Sequence, residues 1–395
     1  MTGIVLSASV RQNLLSLQST ASLLATTQND LATGNKVNSA LDNPTNYFTA
    51  QSLDNRASDI SNLLDSIGNG VQVLQAANTG ITSLQSLVAS AQSIANQVLQ
   101  SPVGYSSKAS VTSAAIAGAT ANNLLGTGAA LSGDTLTIGA TGGGTATSIT
   151  FGTGPGDIST LNQLNTALAA NNLQASIDSS TGAITIETTN DAASATIGAI
   201  GGTAVTAAAG AFNGATVNAA VADPNSQATR ADLVAQYNNV LQQINTTAQD
   251  SSFNGINLLN GDTLNLTFNE TGKSTLSING VTFNDAGLGL STLTGGTDFL
   301  DNNSANAVLS SLTAASTTLR TEASALGSNL TIVQIRQDFN KNLINVLQTG
   351  SSNLTLADSN EEAANSQALS TRQSIAVSAL ALANQSQQSV LQLLR

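Results

Sequence analysis

The sequence predicts a mainly α protein: a long coiled-coil-like helical rod built from both chain termini, with a β-hairpin and an inserted small α+β outer domain. Apolar residues recur at heptad spacing near both ends of the 395-residue chain, which is typical of long paired helices. The Gly-, Thr- and Ala-rich middle alternates apolar and polar residues, which is typical of strands. Only 9% of the residues are charged, against roughly 25% in ordinary soluble domains, so the surface is unusually poor in charge.

The N-terminal part of the chain predicts two helices. Gly34 is expected to end the first helix, and Asn43-Pro44 to begin the second. A later seam predicts a helix over 60–98, with one three-residue step from Ile81 to Leu84. The seam of the first helix advances by three, four or seven residues and consists of Val10, Leu14, Leu17, Ala21, Leu24 and Leu31.

The C-terminal part predicts helices that could pair with these. Ser359-Asn360-Glu361-Glu362 matches a capping box, so a final helix is expected to begin there. The seam before it recurs every seven residues, at Leu312, Leu319, Leu326, Val333, Asn340, Leu347 and Leu354. The seam of the final helix consists of Leu369, Ala376, Leu380, Ala383, Val390 and Leu394, with Gln373 and Gln387 interrupting it.

The middle of the chain predicts short strands. Alternation over 263–268 and 274–278 indicates a hairpin, and Asn279-Gly280 indicates a type I′ turn into a third strand at 281–283. The stretch 134–187 predicts a β-β-α-β-β module, and a helix over 228–249 is expected to follow it.

Composition excludes several classes of function. The chain has no His and no Cys, so His or Cys metal sites, thiol nucleophiles and imidazole bases are impossible, and we expect no enzyme activity, no cofactor and no metal. The net charge of −12 argues against nucleic acid as a partner. No apolar run of about 20 residues predicts membrane insertion, and the N-terminus does not resemble a secretory signal peptide. The glycine cluster of 139–156 lacks the Lys-Ser or Lys-Thr pair of a phosphate loop, so we interpret it as turns.

The two chain ends are the candidate functional surface. They carry so little charge that we expect them to pack against copies of themselves, in a repeated heterologous contact that builds a ring or a helical filament. The predicted subunit-interface residues are Val10, Leu14, Leu17, Leu24, Leu31, Leu369, Leu380, Val390, Leu391 and Leu394.

Three motifs in order along the chain resemble one family. The C-terminal run ALALANQSQQSVLQLLR (379–395) closely resembles the terminal signature of bacterial flagellins. The stretch LATGNKVNSALDNP (31–44) resembles a flagellin turn, and FNGINLL (253–259) resembles the segment that leads into the flagellin hairpin.

The resemblance implies a structural subunit that self-assembles into the flagellar filament used for motility. It also implies secretion through the flagellar type III export apparatus to the extracellular flagellum, an export chaperone bound at the C-terminal helix, and contacts with filament cap and hook-junction proteins. The implied domains are 1–40 with 355–395 as an inner coiled coil; 41–103, 228–300 and 301–354 as a helical rod with a hairpin at about 262–284; and 104–227 as an inserted outer domain.

Two alternatives remain open at this stage. A hook-filament junction protein has related terminal helices but forms a short transition zone, so the length of the polymer distinguishes it. An extracellular adhesin on a coiled-coil stalk is distinguished by whether assembly needs both chain ends. The chain also departs from the family pattern in one respect. The insertion at 104–227 precedes the hairpin, whereas in many flagellins the variable insertion follows it.

Overall fold

The computed structural model describes residues 8–128 and 130–393, apart from the side chains of 387 and 390–393. The protein is mostly helical, with long terminal helices and small sheets in the middle, which confirms the predicted fold class. The helices are α1 (Ala8–Thr33), α2 (Pro44–Gln100), α3 (Leu161–Leu168), α4 (Thr203–Thr206), α5 (Pro224–Asp250), α6 (Asn302–Thr355) and α7 (Ser359–Leu393). The strands are β1 (Tyr105–Ser107), β2 (Ser110–Thr112), β3 (Thr135–Ile138), β4 (Thr147–Thr150), β5 (Leu173–Ile177), β6 (Ile184–Thr188), β7 (Ile200–Gly201), β8 (Val221–Ala222), β9 (Thr263–Thr267) and β10 (Thr275–Asn279).

The predicted boundary between α1 and α2 is confirmed. Gly34 has a φ of +72°, the left-handed conformation that glycine adopts without a steric cost, and its N–H donates to Asp30 O at 2.8 Å. Asn43 Oδ1 accepts the N–H of Asn46 at 3.0 Å, directly before Pro44. The second helix then continues without interruption past both ends of the predicted 60–98 segment.

The predicted start of the final helix at Ser359 is confirmed, but its capping residue lies one position before the predicted one. Asp358, and not Ser359, caps the helix, because its Oδ1 accepts the N–H groups of Asn360 at 2.9 Å and Glu361 at 3.3 Å. A carboxylate is a stronger acceptor than a hydroxyl and also complements the positive end of the helix dipole. Ser359 is therefore the first residue of α7.

The long seams are buried as the heptads predicted. On α6, Leu312, Leu319, Leu326, Val333, Asn340 and Leu347 are all buried, and Leu354 is half-buried. On α2, Ile81 and Leu84 on both sides of the three-residue step are fully buried.

The fold comprises two compact units. The first contains α1, α7, the part of α2 up to Val71, the hairpin segment Asn265–Ser277 and α6 from Thr331 onward. Within it, α1 packs on α7, and α2 packs on α6 through a cluster around Ala57, Ile60 and Leu347. The hairpin is fixed to both helices of this cluster: Arg56 of α2 pairs with Glu270 at 2.7 Å, and Asn340 Nδ2 of α6 donates to Phe268 O at 2.9 Å.

The second unit spans Gln72–Leu264 and Ile278–Leu330 and contains the insertion. The predicted β-β-α-β-β order is confirmed as β3, β4, α3, β5 and β6. These strands join shorter ones in two three-stranded sheets, of order β2-β6-β5 and β4-β3-β7, over an apolar core that includes Phe151 and Phe212. The helix predicted over 228–249 is also confirmed, and it begins earlier because Asp223 caps it.

The hairpin β9-β10 is confirmed, but the third strand after it is wrong. Neither Asn279 nor Gly280 has a positive φ, so no type I′ turn forms, and 281–283 runs back along the segment before β9. Gly280 N–H donates to Asp262 O and Val281 N–H to Leu258 O, both at 2.8 Å. A Cβ on Gly280 would lie 2.5 Å from both of those oxygens, so this close approach requires glycine.

Candidate assembly surfaces

The pair of α1 and α7 has a narrow, partly polar inner face. The buried and half-buried positions of both helices advance by three and four residues, as in a two-helix seam. On α1 they include Val10, Asn13, Leu17, Thr20, Leu24 and Thr27. On α7 they are Glu362, Ser366, Leu369, Gln373, Ala376, Leu380 and Ala383. Such a face provides little apolar burial, so the pair gains only modest stability from one chain alone.

Seven of the ten predicted interface residues have described side chains, and these seven fall into two groups. Five lie on the inner face of the pair: Val10, Leu17, Leu24, Leu369 and Leu380. Leu14, at 36% exposure, and Leu31 point outward. Leu394 and the side chains of Val390 and Leu391 lie outside the described residues.

The structure also shows exposed apolar residues that the heptad spacing did not predict. On α1, Leu15 is 68% exposed and Leu23 is also exposed; on α7, Leu382 is 70% exposed, together with Ile375 and Val377. Neighbouring residues on a helix point about 100° apart, so both members of a Leu-Leu pair cannot face the same partner. The adjacent leucines Leu14-Leu15 and Leu23-Leu24 are therefore the sequence feature that could have predicted a second apolar face on α1.

No charge interrupts these outer faces. Residues 12–29 of α1 and 373–393 of α7 contain no Asp, Glu, Lys or Arg. Charged side chains normally keep proteins apart in solution, and exposed apolar patches without them mark interaction sites. The outer surface of the helix pair is therefore suited to packing against other protein.

The turn between α1 and α2 presents a further exposed leucine. Asp42 Oδ2 accepts the N–H groups of Ser39 at 2.8 Å and Asn38 at 3.0 Å, and also the Ser39 hydroxyl. The Leu41 N–H donates to Ser39 Oγ at 3.3 Å, and the Leu41 side chain is 95% exposed. An ordered turn thus holds a large apolar side chain in solvent.

The 38–42 turn is expected to loosen in acid. The N–H groups of Ser39 and Asn38 and the Ser39 hydroxyl hold the pKa of the Asp42 carboxyl below its usual 3.8. Because the folded pKa is the lower one, the stabilisation is fully present above about pH 4 and is lost as pH falls through the folded value. Amide hydrogen-exchange protection of Asn38 and Ser39 should decrease in that range. Protection that stays constant in acid, or an equal response from Asp42→Asn, would contradict this.

The remaining candidate sites carry no ligand chemistry. In the glycine-rich loop before α3, the Asp157 carboxylate accepts the Gly154 N–H at 3.0 Å, so an acidic group already occupies that donor. Over residues 8–128 and 130–393, no cluster of three or more acidic side chains could hold a metal ion. None of the helices within those ranges has the length and hydropathy that a bilayer crossing requires.

Two protein-family models match parts of the chain that contain α1 and α7. The model of the bacterial flagellin N-terminal helical region matches residues 6–122, and that of the bacterial flagellin C-terminal helical region matches residues 309–394. The chain belongs to the bacterial flagellin family. This is a family of structural proteins rather than enzymes. In this flagellin the matched regions contain α1, α2, α7 and most of α6, whereas α3, α5 and the hairpin lie outside them.

Individual relatives are also flagellins. Flagellin FljK of Caulobacter vibrioides is 32% identical over 165 residues, which cover 41% of this chain and 59% of FljK. Flagellin FljO of the same organism is 30% identical over 172 residues, or 43% of this chain and 62% of FljO. Flagellin A of Rhizobium meliloti is 36% identical over 90 residues, or 23% of each chain. The chain thus spans about three-fifths of the length of the Caulobacter relatives.

Proposed function

We propose that this flagellin is a structural subunit that self-assembles into the helical filament of the bacterial flagellum and serves motility. The observation that carries the proposal is the uncharged outer face of the α1-α7 pair, where Leu15, Leu23 and Leu382 are exposed. Burying such side chains against other copies removes apolar area from water, at roughly 25 cal/mol per Å². Family membership supports the same role.

The contact between copies is expected to be heterologous. The exposed residues of α1 and α7 form different surfaces, and a contact between two different surfaces leaves one of each unused in every dimer, so further copies can add. A repeated contact of this kind builds a helical filament if the rotation between copies does not close a ring. The seam residues of the two helices, including Leu391 and Leu394, belong to the proposed interface.

Further partners are proposed on the strength of family membership. We propose export through the flagellar export apparatus to the extracellular flagellum, with a chaperone that binds the C-terminal helix over about 355–395 before secretion. The exposed Ile375, Val377 and Leu382 of α7 are suitable apolar contacts for such a chaperone. Filament cap and hook-junction proteins are the proposed neighbours at the ends of the polymer.

Electron microscopy of the purified chain tests the proposed function. Polymerisation is induced by salting-out, which strengthens apolar burial, or by seeds of sheared filament. Long tubes of uniform diameter are expected. Short stubs would favour the hook-filament junction protein, and monomers under every condition would contradict self-assembly. A chain truncated before Ser359, which lacks α7, is the matched negative control.

The insertion is expected to be dispensable for assembly. Its two ends are already joined, since β1 pairs with β8 and the Asp223 N–H donates to Gly104 O at 3.0 Å. Replacing residues 105–222 by a short Gly-Ser linker should therefore leave α2 and α5 in place. The shortened chain should form filaments, of smaller diameter if 104–227 is an outer domain as proposed. Loss of polymerisation by a shortened chain that retains its helical circular dichroism would contradict that placement.

A further inference from the structure

Two exposed apolar side chains lie outside α1 and α7, in the turn after α1 and at the start of α2. Leu41 is 95% exposed in the ordered 38–42 turn, and Phe48, in the second turn of α2, is 59% exposed. The two side chains together are called the knob. Hydrogen bonds to Asp42 fix the turn in the folded chain, so Leu41 is held in water by the fold itself. A pre-ordered apolar anchor of this kind binds with little further loss of conformational entropy.

A complementary surface lies on α6. Ile332, Ile335, Phe339 and Val346 advance by three, four and seven residues, so they share one face of the helix. All four are exposed, and together they are called the α6 stripe. On the same helix the buried Leu347 packs against Ala57 and Ile60 of α2, whereas the four stripe residues are exposed to solvent among the described residues.

The charges beside the two surfaces have opposite signs. Asp42 follows Leu41 in the 38–42 turn and is exposed. Arg336 lies within the α6 stripe, with its guanidinium 5.9 Å from the centre of the Phe268 ring. None of the three ion pairs found among the described residues includes Arg336 or Asp42. The stripe region also contains the exposed pair of Asp338 and Lys341, so with Arg336 it has a net positive charge, whereas the knob is followed by the acidic Asp42.

We propose that the knob of one copy docks on the α6 stripe of a second copy. This inference rests on the proposed function and gives the polymer a contact separate from α1 and α7. A second copy is the occupant because every chain carries both surfaces, so one repeated contact covers both throughout a polymer. Aromatic and Arg side chains at the centre, with a charge at the edge, are the composition of energetic hot spots in interfaces.

Cross-linking between two separately labelled chains tests this contact. The chain has no Cys, so single cysteines can be introduced without background. Ala40→Cys lies beside Leu41, and Asn342→Cys lies on the α6 stripe, and both changes leave the apolar anchors intact. Filaments grown from an equal mixture of the two chains are treated with a short bismaleimide. The expected product is a covalent dimer of one A40C chain with one N342C chain.

The matched control is Gln348→Cys. This residue is exposed on the same helix but faces away from the α6 stripe, at 100° per residue. The A40C chain should give little product with Q348C. Product with Q348C equal to that with N342C, or mainly A40C-A40C product, would overturn the inference. Filaments that form normally without A40C-N342C product would overturn it too and leave the proposed function intact, whereas failure of the wild-type chain to polymerise would contradict the proposed function.

Removing the anchors gives a second measurement. Ile335→Ser with Phe339→Ser alters exposed side chains only, so the monomer should keep its helical circular dichroism. The concentration of free subunit in equilibrium with filament should rise about tenfold or more, as for truncated hot-spot residues. An unchanged concentration would contradict docking at the stripe. Val221→Ser, at an exposed apolar position of the insertion, is the control expected to have no effect.

Discussion

Replacing Leu15 and Leu382 by aspartate is expected to abolish filament growth while the monomer stays folded. These side chains are 68% and 70% exposed, so a carboxylate at either position remains solvated in the free chain. In the proposed contact, the same carboxylates would enter an interface whose helices provide no cation over 12–29 or 373–393. An unpaired buried charge costs at least about 3 kcal/mol, so the subunit concentration needed for growth should rise more than about a hundredfold.

Sedimentation of polymer after seeding, with circular dichroism of the supernatant, measures both parts of this expectation. Leu15→Asn with Leu382→Asn is the matched variant, since it has the same size and polarity without the charge. That variant should be impaired less than the aspartate pair. Normal filaments from the aspartate pair would refute the α1-α7 outer face as an assembly surface. A loss of helical signal in the monomer would show instead that the two leucines support the fold.

The long helices could be predicted because their information is periodic. Residues such as Leu312, Leu319 and Leu326 recur every seven positions, and this spacing alone specifies a buried line on a helix. Residue type likewise predicted the helix boundaries, because Gly34 adopts the left-handed conformation and the Asn43 side chain accepts a backbone N–H of the next helix. The error in the cap of α7 lies where two neighbouring residues, Asp358 and Ser359, offer competing local interactions.

The short strands and the outer surfaces could not be predicted in the same way. Strands of two or three residues, such as β7 and β8, are too short to show alternation, and their partners are distant in sequence. The heptad spacing predicts Leu14 as a seam residue, but it does not specify which member of Leu14-Leu15 faces the partner helix. That choice depends on the packing of α1 against α7, in which both leucines remain exposed.

Arg230 is the clearest case of a residue whose role only the structure shows. An arginine on a predicted helix is usually exposed, but Arg230 of α5 is fully buried. Its Nε donates to Pro102 O at 2.7 Å, and its Nη2 to Ser101 O at 3.0 Å and Val98 O at 3.1 Å. Nη1 donates to Phe299 O. One guanidinium thus satisfies backbone carbonyls at the end of α2 and just before α6.

Arg230→Met is expected to lower the free energy of unfolding by about 3–5 kcal/mol. Methionine keeps much of the apolar stem but removes the guanidinium donor of the Ser101, Pro102 and Phe299 carbonyls, and an unmet buried acceptor is costly. The Val98 carbonyl still accepts the N–H and the hydroxyl of Ser101. Burial lowers the pKa of Arg230 and nearby Asp301 raises it, which opposes that effect. An arginine remains protonated throughout the range in which the protein is studied, so the loss should not depend on pH between about 5 and 9.

Urea unfolding followed by circular dichroism measures this loss. Arg320→Met, which changes an exposed arginine of α6, should leave the unfolding transition nearly unchanged. Arg230→Lys keeps the charge but cannot reach carbonyls on both sides with one planar fork, so its stability should be intermediate. Equal stability of Arg230→Met and Arg320→Met would contradict the role assigned to the guanidinium.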